Sequence, residues 1–307
     1  MTIEIREHVP LKEMTTFQIG GPARYFATVK TEPDIREAIA WAQEKKMTFV
    51  LLATGSNVLV PDEGLDALVI RIEDGTYAFD GNVLTADTGC NLLELIQLAG
   101  HEGLGGWEKI AGIPGTIGGA ARGNAGAFGT EMKDVVVSID SLNSETLESR
   151  TFTNAECDFS YRHSFFKDNP EWIITKVVVE LQQIDPGESA QLAEQTIAER
   201  EKRHLQNVRA AGSYFMNPVS PANIVKMFED EKRVKSRESR VPAGWLIEKA
   251  GMKGAQVGGA QASLQHPNYI VNMGGATAKD VLELAVQIKA RVKKVFDIEL
   301  KEEAAIL

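Results

Sequence analysis

Glycine is spread unevenly along this chain, and the place where it concentrates limits what the chain can become. Ten of its 27 glycines lie between positions 103 and 129, and the densest stretch reads Ala111-Gly-Ile-Pro-Gly115-Thr116-Ile-Gly118-Gly119-Ala-Ala-Arg-Gly123-Asn124-Ala-Gly126-Ala-Phe-Gly129. Such density lets backbone N–H groups come close to an anion, as in the nests and loops that cradle phosphates. The spacing is neither G-x-x-x-x-G-K-[ST] nor a strand-anchored G-x-G-x-x-G with an acid about 20 residues on, so a P-loop and a standard dinucleotide fold are disfavoured. A plainer reading is an array of tight turns where strands cross closely. Two further turns, Thr15-Thr16-Phe-Gln-Ile-Gly20-Gly21-Pro22 and Thr54-Gly55-Ser56-Asn57-Val-Leu-Val, also join glycine to hydroxyl or amide side chains. Three such loops suit an extended cofactor whose pyrophosphate takes backbone donors and whose ribityl chain takes short polar side chains.

Charge and cysteine narrow the class further. With 33 Lys+Arg against 43 Asp+Glu, the net charge of −10 argues against a nucleic-acid protein that works by neutralising phosphates, while leaving room for a local basic pocket. No apolar run approaches the 18 or so residues of a membrane span, and the N-terminus lacks the basic-then-apolar pattern of a secretory signal. Two cysteines, Cys90 and Cys157, are too few for a disulfide framework or a four-ligand zinc site, so no metal is expected. A cytoplasmic monomer without nucleic-acid or membrane partners is the expectation. Cys90 reads as a small buried hydrophobe rather than a point of covalent cofactor attachment.

The patterning mixes periods of 2 and 3.6 without strict alternation of strand and helix, which predicts an α+β fold. Thr31-Glu-Pro-Asp34 predicts a capped helix bearing Ile35, Ala38, Ile39 and Ala42 on one face. Residues 48–53 predict a buried strand. Asn91 opens a second helix to about Ala99, and residues 134–142, 149–153 and 172–183 are strand-like. Residues 191–203 predict a surface or connecting helix, 229–240 a solvated helix face, and Thr277-Ala-Lys-Asp280 the start of a last helix with Val281, Leu284, Ala285, Ile288, Val292 and Val295 inward. Residues 296–307 read as a strand with embedded acids. A domain boundary falls near 204–210.

Taken together, the three glycine loops resemble the flavin-binding motifs of the UDP-N-acetylenolpyruvoylglucosamine reductase family. The likeness continues through Tyr161-Arg162-His163-Ser164-Phe165-Phe166-Lys167, Ala211-Gly212-Ser213-Tyr-Phe-Met-Asn217-Pro218 and Asn268-Tyr-Ile-Val-Asn272 to the acidic tail. It covers about residues 10–307, and no long insertion separates Arg162 from Ser213, so the chain resembles the shorter subtype that lacks a tyrosine-bearing loop. The resemblance implies an FAD-binding fold of the vanillyl-alcohol-oxidase type followed by a smaller α+β substrate domain. It implies an FAD-binding region over 1–203 (two subdomains, about 1–75 and 76–203), a substrate-binding domain over 204–296, and a tail, 297–307, carrying a catalytic acid. It also implies noncovalent FAD, NADPH as hydride donor, and reduction of UDP-N-acetylglucosamine enolpyruvate to UDP-N-acetylmuramate.

By the same resemblance, Arg162 meets the negative charge of the developing enolate, Ser213 donates the proton, and Glu303 hydrogen-bonds the substrate carboxylate or enolate. The chemistry suits these residue types: a guanidinium holds a carboxylate with two parallel bonds, and a hydroxyl can donate a proton if it is held in place. Cofactor contacts are implied at Ile19, Gly20, Gly21, Gly55, Ser56, Asn57, Val58, Gly112, Thr116, Gly118, Gly119, Gly123 and Asn124. Substrate contacts are implied at Arg162, Asn217, Gln265 and His266, whereas His163 reads as structural. Departures from the family pattern are Met216 in place of a lysine, Phe128 in place of a tyrosine, and Lys301 and Ala304 in the tail, which leave Glu302 competing with Glu303. Two other classes stay open on the residues: an oxygen-using flavin oxidase of the same fold, and a noncatalytic flavin or nucleotide-sugar binder.

Overall fold

The computed structural model describes residues 3–203 and 208–307. Packing divides the chain into two compact units that do not follow chain order. The first takes the chain up to Val9, Ala23–Thr54 and Asp66–Lys202, and the second takes Pro10–Pro22, Gly55–Leu65 and Arg203–Leu307. The FAD-binding region implied over 1–203 is one continuous run of chain, and the packing groups Pro10–Pro22 and Gly55–Leu65 with Arg203–Leu307. The steric reason is an interlock, described below, that no local pattern reveals. Residues 204–207, within the stretch chosen for the boundary, lie outside the described residues.

Two larger sheets form the frame of the first unit. Strands β1 (Arg6–Pro10), β2 (Pro22–Val29), β3 (Phe49–Leu52) and β4 (Leu65–Ile72) lie in the order β1-β2-β4-β3, with β3 and β4 parallel. Helix α1 (Glu32–Glu44) has the predicted capping box between Thr31 and Asp34, and Ile35, Ala38, Ile39 and Ala42 are all buried. Its apolar stripe packs with Ala27, Leu68 and Ile70, each buried isoleucine contributing about 1.5–3 kcal/mol. The second sheet is antiparallel throughout. Strands β5 (Tyr77–Asp80), β6 (Val83–Asp87), β7 (Val136–Asn143), β8 (Ser149–Thr153) and β9 (Trp172–Glu180) run in the order β8-β7-β9-β6-β5. Helix α2 (Leu92–His101), capped by Asn91 through the Glu94 amide, buries Leu92, Leu95, Ile96 and Ala99 in the core around Trp107, Ile139 and Val177.

Within the glycine-rich tract the chain forms a short helix, α3 (Ile117–Arg122), which the residue pattern conceals. Helix α4 (Pro186–Arg203) starts five residues earlier than its apolar pattern suggested.

The second unit is built on α7 (Ala278–Phe296). A capping box between Thr277 and Asp280 starts it, and Val281, Leu284, Ala285, Ile288 and Val292 are buried, while Val295 is 43% exposed. Asp62 accepts from the amides of Ala278 (2.8 Å) and Lys279 (3.2 Å), placing a carboxylate where the helix dipole favours one. The core adds Phe17, Leu59, Tyr214, Phe215, Trp245 and Leu246, and a small antiparallel sheet, β10 (Gln256–Val257), β11 (Ala260–Ala262) and β12 (Ile270–Asn272), flanks it. Two sequence expectations change here. Helix α5 (Ala222–Lys232) stops where Arg233 turns left-handed (φ 56°), so most of 229–240 is not helical, and its charges pair locally, as in Lys235–Glu229 at 2.8 Å. In the tail only Ala305–Ile306 is a strand, parallel to Val58–Leu59, and Phe296 still belongs to α7. No described helix is long and apolar enough to cross a membrane, and no group of three or more described His, Cys, Asp or Glu residues is placed to hold a metal.

Candidate active site

In the first unit, the expected cofactor residues Gly112, Thr116, Gly118, Gly119, Gly123 and Asn124 gather around α3. Thr116 caps the helix and accepts from the Gly119 amide at 3.2 Å. The amides of Ile117 and Gly118 go to the carbonyls of Cys90 (2.9 Å) and Thr88 (3.1 Å), so this first turn spends its donors within the protein. Gly118 is sterically required, because Thr88 Oγ1 occupies the place of a Cβ. Gly112 is tight, with Ile197 Cγ1 3.3 Å from a Cβ position. Gly119 and Gly123 differ. A methyl at either would meet its nearest neighbour at 3.5 or 3.6 Å, ordinary contact. Gly119 lies inside α3, where glycine costs roughly 0.5–1 kcal/mol relative to alanine, Gly123 is the C-cap, and no packing within the protein compels glycine at either. The bare backbone they leave is the surface a closely approaching cofactor needs, so the tract fits FAD.

Asn124 is fully buried and its side chain is engaged inside the protein. Nδ2 donates to Glu131 Oε2 (2.8 Å) and to the Ser160 carbonyl (2.9 Å), and Oδ1 accepts from the Lys133 amide (3.0 Å). It therefore organises the loop. The turn bearing Arg162 is mounted on the same tract. Ser160 and His163 exchange backbone bonds at 3.1 Å, Arg162 sits at the corner with φ 57°, and the buried Ser164 hydroxyl donates to the Arg122 carbonyl at 2.6 Å. Both flanks of the turn are thus tied to the glycine tract, through Asn124 and Arg122. A left-handed arginine stores of order 1–3 kcal/mol of strain. Lys167 Nζ donates to the Arg162 carbonyl at 2.7 Å, and the guanidinium lies 5.2 Å from the Tyr161 ring. His163 lies in this turn rather than on an extended strand, with Nε2 3.6 Å from Asp168.

Cys90 borders a cleft of about 470 Å³ shared with Thr54, Arg71, Tyr77, Asn91 and Thr116. Burial pushes its thiol up to about 11, so it is protonated at neutral pH. Cys157 is buried and pushed up to about 12 in the same way.

In the second unit, Ile19, Gly20, Gly21, Gly55, Ser56, Asn57 and Val58 come together because segments 10–22 and 55–65 interlock. Gly55 (φ 65°) lies against the backbone of Met14 and Thr15, Gly20 has Val60 Cβ 2.6 Å from a Cβ position, and Gly21 lies against Asp62 O and Gly64 N. The Thr16 amide donates to the Gly55 carbonyl (3.2 Å), and its hydroxyl to the Ala210 carbonyl (2.7 Å). These glycines have a packing reason that the sequence could not supply. A cleft of about 650 Å³ is lined by Lys12, Gln18, Ile19, Gly20, Asp62 and Arg209 among others.

Ser213 and Glu303 are brought near each other in this unit. The amides of Glu303 (2.7 Å) and Ala304 (3.4 Å) donate to the Tyr214 carbonyl, and the Met216 amide donates to the Lys301 carbonyl at 2.9 Å. Asn57 Nδ2 donates to the Glu303 carbonyl at 3.0 Å. Glu302 is held by Lys289 at 2.6 Å, engaged with α7. Burial, with Glu302 nearby, pushes the Tyr214 phenol well above its ordinary value. Asn217 Oδ1 accepts from the Ala243 amide (2.9 Å) at the start of α6 (Ala243–Lys249). His266 stacks edge-on to Tyr269 at 4.9 Å, and burial holds its pKa below the ordinary value, while Gln265 is exposed. Sequence reasoning gave no role to Asn268, Lys289 or Thr88. Only Asn268 had a visible signal, its place at the head of Asn268-Tyr-Ile-Val-Asn272.

Comparison with known proteins adds to this geometry. Residues 23–146 match the FAD binding domain model, and residues 203–307 match the C-terminal domain model of UDP-N-acetylenolpyruvoylglucosamine reductase. The UDP-N-acetylenolpyruvoylglucosamine reductase of Solibacter usitatus (strain Ellin6076) is 34% identical over 98% of this chain and 96% of its own length. That of Lactobacillus acidophilus is 35% identical over 99% of this chain and 95% of its own. The crystal structure of UDP-N-acetylenolpyruvylglucosamine reductase from Thermus caldophilus superposes with a TM-score of 0.76 at 32% identity, covering 99% of this chain and 98% of that one.

Proposed function

Because the chain belongs to the UDP-N-acetylenolpyruvoylglucosamine reductase family and is an oxidoreductase with an FAD-binding domain, we propose that it uses NADPH to reduce UDP-N-acetylglucosamine enolpyruvate to UDP-N-acetylmuramate, a precursor of peptidoglycan. We place this reaction in the cytoplasm, carried out by a monomer on small-molecule reactants. FAD, when bound, would supply two-electron hydride chemistry between NADPH and the enolpyruvyl double bond. Gly119 and Gly123 leave bare backbone against which it would pack, and Thr116 and Asn124 hold that backbone in shape.

The residues of the chain handle charge and the proton. Hydride added to the terminal carbon of the double bond leaves negative charge on its neighbour, spread onto the attached carboxylate as an enolate. Arg162, held at the corner of its turn, meets that charge with a fixed cation that needs no reorganisation during the reaction. Ser213 then gives its hydroxyl proton to the charged carbon. A serine hydroxyl is a weak acid, so its usefulness depends on being fixed against the carbon that takes the proton. Glu303, in its protonated form, donates a hydrogen bond to the substrate carboxylate or enolate. The bond from the Glu303 amide to the Tyr214 carbonyl carries this assignment, since it sets the acid beside the residue that follows Ser213. We assign the role to Glu303 on that backbone bond; Glu302 is ion-paired with Lys289.

Anaerobic stopped-flow absorbance tests the proposal. The purified protein is expected to be yellow, to bleach with NADPH, and to regain flavin absorbance rapidly only on addition of UDP-N-acetylglucosamine enolpyruvate. Recovery with oxygen but not with that substrate would identify an oxidase instead. Ser213→Ala should bleach normally and then stall; normal reoxidation of that variant removes Ser213 from the role of proton donor.

A further inference from the structure

We infer that Asn268 is a positioning residue for the proton-transfer step, acting through the backbone that carries Ser213; the inference rests on the proposed role of Ser213. Residues 214–216 form a short bridged segment whose two sides differ. One side is an isolated antiparallel bridge of Phe215 with Glu302, with the amides of Glu303 and Ala304 on the Tyr214 carbonyl and the Met216 amide on the Lys301 carbonyl. On the other side a single residue supplies the bonds. The Asn268 carbonyl accepts from the Tyr214 amide at 2.7 Å, its Oδ1 accepts from the Phe215 amide at 3.0 Å, and its Nδ2 donates to the Phe215 carbonyl at 2.9 Å. The carboxamide thus reproduces the donor and acceptor pair of a peptide group. It does so in a dry setting, for Asn268 is 3% exposed and Tyr214 and Phe215 are 1% exposed each. Buried backbone groups have no water to fall back on, so this grip determines where the segment lies.

Ser213 is the residue immediately before this clamp, and Gly212, with φ 68°, comes before that. Gly212 turns the chain there, with nothing within 4 Å of a Cβ position. Ser213 therefore takes its position from the segment on its C-terminal side, and the segment takes its position from Asn268 on one edge and the acidic tail on the other. Loosening the Asn268 edge displaces the hydroxyl used in the substrate half-reaction and leaves flavin reduction by NADPH untouched. A displacement of about 1 Å at a reacting group typically lowers its step on the order of 10²-fold.

Asn268→Asp is the sharpest variant, because the carboxylate keeps the acceptor for the Phe215 amide but sets an oxygen against the Phe215 carbonyl. In the holoenzyme, NADPH bleaching should proceed at the wild-type rate, and substrate-driven reoxidation should slow on the order of 10²-fold. A solvent deuterium isotope effect on reoxidation should emerge or grow. Lowering the pH should recover part of the rate, since a protonated carboxyl can again donate to the Phe215 carbonyl. Asn268→Leu, which removes donor and acceptor together, should show the slow reoxidation without recovery at low pH. Reoxidation of Asn268→Asp at the wild-type rate overturns the inference. So does a loss of bound FAD and thermal stability with unchanged turnover per folded molecule, the signature of a purely structural asparagine. Ser213→Ala in the same assay separates the two questions. If that variant reoxidises normally the proposed proton donor is wrong, whereas a stalled Ser213→Ala beside a normal Asn268→Asp refutes only the positioning role.

Discussion

The glycines of segments 10–22 and 55–65 and the pair Gly119 and Gly123 at α3 look alike in the sequence and stand in different surroundings. At Gly20, Gly21 and Gly55 the space of a side chain is already filled by the protein itself, by Val60, by Asp62 and Gly64, and by Met14 and Thr15. At Gly119 and Gly123 a methyl would meet its nearest neighbour only at 3.5 or 3.6 Å, ordinary contact. The first group holds two stretches of backbone in contact. The second keeps a surface bare, at a cost in helix stability at Gly119, and a bare surface that costs stability is the mark of a binding site rather than of a fold. Glycine content alone cannot separate these two uses, but the nearest atom to the missing Cβ can.

The largest effect expected from this contrast is Gly21→Ala. The new methyl would press on the backbone of Asp62 and Gly64, which cannot swing away as a side chain can, so a loss of about 3 kcal/mol or more is expected. Chemical denaturation with circular dichroism reads it directly; a variant as stable as the parent would show that the interlock is loose. Gly119→Ala should do the reverse, leaving the fold intact or more stable by about 0.5–1 kcal/mol. Titration of its apoprotein with FAD should give a Kd raised at least about tenfold, equivalent to 1.4 kcal/mol. Unchanged FAD affinity would detach the bare face from the cofactor and collapse the distinction. The smallest expected effect is at Cys90, beside the same helix. With its thiol pushed up to about 11, roughly one molecule in a thousand is ionised at pH 8. Brief iodoacetamide treatment of the folded protein should leave it unlabelled by intact mass, and acid denaturation should release all the flavin.

What was legible beforehand depended on how local the cause was. The capping boxes at Thr31 and Thr277 and the Asn91 cap announce their helices because cap, first turn and apolar stripe lie within a few residues. Helix α3 was hidden, since three of its neighbours and members, Gly118, Gly119 and Gly123, argue against helix on propensity and are present for other reasons. The end of α5 rests on one left-handed backbone angle at Arg233, which no composition signals. Site residues divide the same way. Arg162 and Ser213 stand within recognisable runs, whereas the double grip of Asn268 on Phe215 spans 53 residues and exists only once the segment is folded. Asn124 is implied as a cofactor contact, and nothing local in the sequence announces the three hydrogen bonds its side chain makes to Glu131, Ser160 and Lys133.

The interlock has a consequence for how the chain comes to be folded. Its contacts are far apart in sequence: Thr16 to Ala210 spans 194 residues, Ala278 to Asp62 spans 216, Asn57 to Glu303 spans 246, and Asn272 to Phe17 spans 255. Closing such loops costs entropy before any contact repays it, and slows folding accordingly. During synthesis, segments 10–22 and 55–65 emerge early and must wait, with Phe17 and Leu59 uncovered, until the strand that pairs with Val58–Leu59 has been made. The sheets of the first unit have no such wait for α7 or the tail. On a ribosome, then, the two units should mature at different times, with the second unit the more exposed to proteases and chaperones until the last strand closes it.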